Sequence, residues 1–207
     1  MNKKLLQKFK EYKNQFKPKQ IFQKEGKIFL ENEVCEDENG VIVSETENFI
    51  NIKYSSKTSI SRVLSNLFPY KFKFRGKKVS SIESVLQGIK YKNKKTQKLV
   101  FGYAGDDAYH TRSSNNFDFW GNNGKLWFCG KEIDRHKTEY QNFLDELYLS
   151  CLKNNLYKRA IKSTGTKYLL HHIGRTNPQE TVLTRNEYEC RLYALQMLIN
   201  NGDVKID

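Results

Sequence analysis

The chain has 207 residues, 38% of them hydrophobic, 13% aromatic and 29% charged. That content supports one sizeable core and excludes a disordered chain, and no apolar run approaches the roughly 20 residues that a membrane-spanning helix needs. The net charge of +13 favours polyanionic partners such as nucleic acid and phosphorylated ligands, although Lys and Asn are spread so evenly that compositional bias accounts for it equally well.

In chain order, the start Met1-Asn2-Lys3-Lys4 leads into an amphipathic segment and not an apolar signal core, so a cytoplasmic protein is expected. Leu5, Phe9, Tyr12 and Phe16 recur at helical spacing, and Pro18 should end that helix. Residues 27–30, 33–35, 41–43 and 49–54 have strand-like content, with Asn39-Gly40 as a hairpin turn. Residues 1–55 are therefore expected to form an N-terminal extension, a helix plus a small β element, packed on a main domain of residues 56–207. Residues 72–79 alternate and turn at Gly76, which predicts a further hairpin.

From Ser80 onward the pattern is mostly helical. Ile82, Val85, Leu86 and Ile89 mark one stripe; Tyr140, Phe143, Leu144, Leu147 and Cys151 mark another. Residues 156–161 continue to an end at Thr164-Gly165, and a last helix starts at Thr184 and stops near Gly202. Residues 102–130, rich in Gly, Asn, Asp and Ser, read as irregular loops. The fold class is α+β, mainly α. Cys35, Cys129, Cys151 and Cys190 are scattered and read as reduced thiols. The His171-His172 pair reads as structural or solvent-facing, and no metal is expected.

The helix beginning at Ser80 carries the chemistry. At about 100° per residue, Glu83, Gln87 and Lys90 fall within roughly a 60° arc opposite its apolar stripe. A carboxylate, an amide and an ammonium in one row can bind sugar hydroxyls, activate water and stabilise charge developing at an anomeric carbon. The competing reading makes Ser80 and Glu83 a capping box on a solvated face.

Leu64-Ser65-Asn66-Leu67-Phe68-Pro69, the turn at Gly76, then Ser81-Ile82-Glu83 with Gln87 and Lys90 resemble the signature of the NADAR (YbiA-like) family, in order. Trp120, residues 130–133 and 139–141, and Ser163-Thr164-Gly165 before Leu169-Leu170-His171 extend the resemblance over about residues 58–200. It implies a mainly α fold that hydrolyses N-glycosidic bonds to ribose, without metal or organic cofactor. Two substrate classes are implied: ADP-ribose attached to guanine in DNA, and a phosphorylated ribosylaminopyrimidine of riboflavin synthesis. Glu83 falls on the essential glutamate, and Ser65, Asn66, Phe68 and Gln87 on the surrounding pocket. Lys90 would pair with phosphate or the departing base, or attack C1′.

Two departures bear on the substrate. Ser84 stands where many relatives carry His, and residues 176–187 replace the Asp-x-x-Trp-Gly segment of riboflavin-type members. Glu180 or Glu187 could supply a second acid there, while Thr184 with Glu187, flanked by Leu183 and Tyr188, also fits a capping box with its staple. Trp120 could stack on a nucleobase, whereas Trp127, between Leu126 and Phe128, fits core packing better. Arg62, Arg112 and Arg175 could fork onto a diphosphate. The expected function is removal of ADP-ribose from ADP-ribosylated guanine in nucleic acid. The rivals are hydrolysis of a phosphorylated N-riboside and non-catalytic binding of ADP-ribose or nucleic acid.

Overall fold

The computed structural model describes residues 2–24, 27–31, 33–34, 45–114 and 124–205. Helices dominate: α1 (Lys3–Gln15), α2 (Ser59–Leu64), α3 (Ile82–Gly88), α4 (Lys94–Gly102), α5 (Gly105–Ser114), α6 (Thr138–Cys151), α7 (Asn155–Ser163) and α8 (Arg185–Asn200). The strands are short. β1 (Ile21–Lys24), β2 (Lys27–Leu30) and β3 (Glu33–Val34) form an antiparallel meander; β5 (Phe72–Phe74) with β6 (Lys77–Val79), and β7 (Lys125–Phe128) with β8 (Lys131–Asp134), are hairpins. The predicted turn at Asn39-Gly40, the strand at 41–43 and Cys35 lie outside the described residues.

The centre is built on α6 and α8. On α6, Tyr140, Phe143, Leu144, Leu147, Tyr148 and Cys151 are all fully enclosed, the stripe that 3.6-residue periodicity demands. Tyr188, Leu192, Leu195 and Leu198 do the same for α8. Each such large apolar side chain contributes about 1.5–3 kcal/mol through burial. Asp145 also lies on α6 with no exposure, and it is held by Arg191 of α8 at 2.8 Å and by Lys13 of α1 at 2.6 Å. A buried carboxylate is tolerable only with such partners.

Phe9, Ile50 and Ile52 of the amino-terminal quarter join the same core, while Leu30 and Phe49 form a smaller cluster with Leu170. Asn2 caps α1 by accepting from the amides of Lys4 and Leu5, Phe9 is fully buried, and Lys8 and Tyr12 both reach Asp203 beyond the end of α8. The strand β4 (Phe49–Asn51) pairs in parallel with β9 (Tyr168–Leu170), and the ladder continues where the Ile52 amide donates to the Leu170 carbonyl at 2.7 Å. Ile52 and His171 therefore leave this two-stranded sheet side by side.

Two expectations change. Residues 102–130 hold α5 and the strand β7, not loops alone: Ala108 of α5 and Leu126 and Trp127 of β7 are buried, and the Trp127 amide donates to the Ile89 carbonyl. Tertiary packing overrides the polar composition there. Every residue of α3 is buried, so it is an internal helix and not one with a solvated face. Gly88 makes room for the Phe101 ring of α4, since a Cβ there would fall 2.4 Å from it. Among the described residues no helix is long and apolar enough to cross a membrane.

Candidate functional site

The loop that follows α2 and the first turn of α3 meet at the floor of a cleft of about 550 Å³. Ser81 is the N-cap of α3: its hydroxyl accepts from the Ser84 amide at 2.9 Å, and the Ser84 side chain answers the Ser81 amide at 3.3 Å. Ser80 bonds instead to the Gly102 and Phe101 carbonyls. The capping box thus runs from Ser81 to Ser84, one residue beyond the Ser80 and Glu83 pairing, and the Glu83 carboxylate is not used in it. Ser84, fully buried, performs a structural task in this cap.

Glu83 is fixed twice. Its amide donates to the Asn66 carbonyl at 2.9 Å, which ties α3 to the Ser65-Asn66 loop. Its carboxylate accepts from Gln87 Nε2 at 2.5 Å, and Gln87 Oε1 accepts from Lys90 Nζ at 2.6 Å. Because an ammonium can only donate, Lys90 dictates which end of the Gln87 amide faces it, leaving the NH2 for Glu83. The row expected from helical spacing is thus a connected donor chain directed at one carboxylate oxygen. Glu83 and Gln87 are only 9% and 5% exposed, in surroundings where such interactions outweigh their strength in water. Asn66 accepts from the Tyr148 hydroxyl at 2.9 Å through Oδ1, which points its NH2 group away from Tyr148.

Four segments wall the cleft: Lys53 and Tyr54 beyond β4; Asp106, Tyr109 and His110 on α5; His171 after β9; and residues 173–175 and 180–184, with Tyr188 on α8. The approach of α5 depends on Gly105, where a Cβ would lie 1.8 Å from the Leu67 carbonyl oxygen. Tyr188 donates to the Leu64 carbonyl at 2.6 Å and meets the His171 ring edge-on at 5.0 Å. Burial raises the Tyr188 pKa well above its ordinary value, so it stays a neutral wall.

Of the residues singled out from sequence, Glu83, Gln87, Lys90, Ser65 and Asn66 converge at the floor, with Arg175 and Glu180 on the rim. The last two are exposed and 3.5 Å apart, a pair worth about 0–1 kcal/mol. Arg62 is exposed at the end of α2 and Phe68 packs beside Tyr70, so neither lines the cleft. Trp120 lies outside the described residues, as does the side chain of Arg112.

Glu187 does not line the cleft either. Arg135 grips its two oxygens at 2.9 and 2.7 Å, Gln141 donates at 2.6 Å, and it completes the α8 capping box with Thr184. Burial opposes its ionisation, but Arg135, the Thr184 amide and Gln141 together hold its pKa below the ordinary carboxylate value. Lys53, Tyr54, Tyr109 and His171 are additions that no local pattern marks, because they reach the cleft only through tertiary pairing.

Comparison with known proteins bears on the fold and the family. Residues 58–197, well over half of the chain, match the family described as bacteriophage protein GP30.3. The chain is 25% identical over 130 residues to an uncharacterized 17.1 kDa protein in the Gp30-rIII intergenic region of Enterobacteria phage T4, covering 62% of this chain and 84% of that one. The NMR structure of the E. coli protein YbiA superposes with a TM-score of 0.50 at 14% identity, covering 82% of this chain and 93% of YbiA. The expected YbiA-like, mainly α architecture is therefore present, and the chain belongs to the GP30.3 family, a NADAR-like phage family.

Proposed function

We propose that this chain is an N-glycoside hydrolase that cleaves a ribose N-glycosidic bond, releasing ADP-ribose from ADP-ribosylated guanine in nucleic acid. The observation that carries this reading is the buried Glu83 carboxylate at the floor of the cleft, held on one oxygen by Gln87 with Lys90 behind it. The Glu83 carboxylate orients a water toward C1′ and takes its proton as the water oxygen bonds to C1′; the C1′–N bond breaks with its electron pair passing to the base nitrogen, which receives that proton from Glu83. Glu83 also stabilises the oxocarbenium-like charge that develops on the ribose. Lys90 offers its positive charge to a phosphate or the departing base.

The cleft volume suits a nucleotide-sized ligand, and a net charge of +13 supports a nucleic-acid-borne substrate over a small one. The test incubates DNA carrying ADP-ribosylated guanine with the protein and with Glu83→Gln, following ADP-ribose by mass spectrometry. Release by the wild type alone supports the reading. Turnover confined to phosphorylated ribosylaminopyrimidines would replace the substrate, and equal ADP-ribose binding by both proteins without release would replace the hydrolase with a binding module.

A further inference from the structure

His171 lines the same cleft as the Glu83 row, with its ring orientation dictated by its surroundings. Its backbone is fixed at the end of β9, where its amide donates to Glu189 at 2.7 Å. Its Nδ1 lies 2.8 Å from the Ile52 carbonyl oxygen. A carbonyl can only accept, so Nδ1 must carry the proton. In the neutral ring, Nε2 then bears a lone pair. That atom makes no hydrogen bond to any described residue, nor is it among the sealed, unsatisfied polar atoms. The residue keeps partial exposure, and it lines the cleft.

We infer that His171 is a ligand-contacting residue whose Nε2 accepts a hydrogen bond from an O–H or N–H donor of the bound ribosyl compound. The inference rests on reading the cleft as a ribosyl site. Charged and titratable groups around the ring are Glu189 and Arg185 on α8, His172 beside it, Tyr188 across it, and Lys53, which acts on His172. Burial lowers the pKa of His171, against opposing contributions from the Ile52 carbonyl and Glu189, which keeps the lone pair available at neutral pH. The donor is either a sugar hydroxyl or a base N–H, and the two sources separate by probe.

The test uses full-length protein with isotopically labelled histidine, and long-range nitrogen–proton correlation spectra at neutral pH. Free protein should show His171 as the neutral, Nδ1-protonated tautomer. Ribose 5-phosphate, which has hydroxyls and no base, should shift the Nε2 signal if the donor is a sugar hydroxyl; 9-methylguanine, which has base N–H groups and no sugar, should shift it if the donor is on the base. Calorimetry of variants provides the second arm. His171→Asn keeps a donor for Ile52 but removes the acceptor, and should weaken the effective probe roughly tenfold. His171→Gln can return a carbonyl oxygen near the Nε2 position and should recover most of that loss. An Nε2-protonated tautomer overturns the inference. So does a probe that shifts the Gln87 side-chain amide while His171 stays still, a result that leaves the ribosyl reading intact. If neither probe disturbs any cleft signal, the ribosyl reading and this inference fall together.

Discussion

Gln87 donates to Glu83 across one turn of α3 at 2.5 Å, inside a helix with no solvent-facing side. One carboxylate oxygen is thereby engaged before any substrate arrives. Glu83→Gln should retain the fold, since an amide fills the same space, and lose at least about 100-fold in turnover, the scale of a lost general base. Single-turnover release of ADP-ribose measures this, and near-wild-type rates would remove Glu83 from the chemistry.

Replacing Gln87 by Leu breaks both side-chain bonds of the row while keeping its bulk. The expected result is a turnover loss larger than the loss of ADP-ribose affinity. A parallel fall in affinity alone would make Gln87 a binding residue only.

Glu187 gives the opposite contrast. Its partner Arg135 is only 2% exposed, so Glu187→Gln leaves a buried guanidinium uncompensated, at a cost of about 3–5 kcal/mol. At about 2–4 °C per kcal/mol, thermal melting should register the change clearly. The pH dependence follows from the lowered folded pKa: the stabilisation is complete above the unfolded carboxylate value and is lost as pH falls through the folded one. Wild-type melting should therefore decline in acid more steeply than that of the variant.

His172 should add its own slope. Burial, followed by Lys53, His171 and Arg185, lowers its pKa to about 4. Between the unfolded value near 6.5 and that figure, the unfolded chain binds the proton that the folded chain refuses, so stability falls as pH drops through this window. His172→Asn should flatten melting temperature against pH there; an unchanged slope would assign the dependence elsewhere.

Gly105→Ala tests how the cleft is closed. A methyl group at this position would run into the Leu67 backbone, so α5 must shift, at about 1–3 kcal/mol. Loss of ADP-ribose affinity out of proportion to the fall in melting temperature is the expected signature, since α5 carries one wall.

Much of this was legible in the residues themselves. Strong stripes predicted α1, α6 and α8, Gly76 predicted the β5–β6 hairpin, and Thr184 with Glu187 predicted the α8 cap. The row of Glu83, Gln87 and Lys90 followed from helical geometry alone. The α3 cap was misplaced by one residue because a Ser at the third helical position, as at Ser84, is not the Glu or Gln that the capping pattern calls for. Helix α5 was hidden by its weak apolar periodicity. His171 was unreadable as a cleft residue, because its orientation depends on Ile52, 119 positions away.

That separation also governs when the site can exist. The parallel pairing of β4 with β9 joins segments made far apart in time on the ribosome: at about 5–20 residues per second, some 6–24 s pass between them. Until β9 emerges, the cleft lacks His171 and the segment that follows it, and the apolar β4 strand must wait for its parallel partner. The nascent chain therefore carries its Glu83 row before the cleft around it is complete.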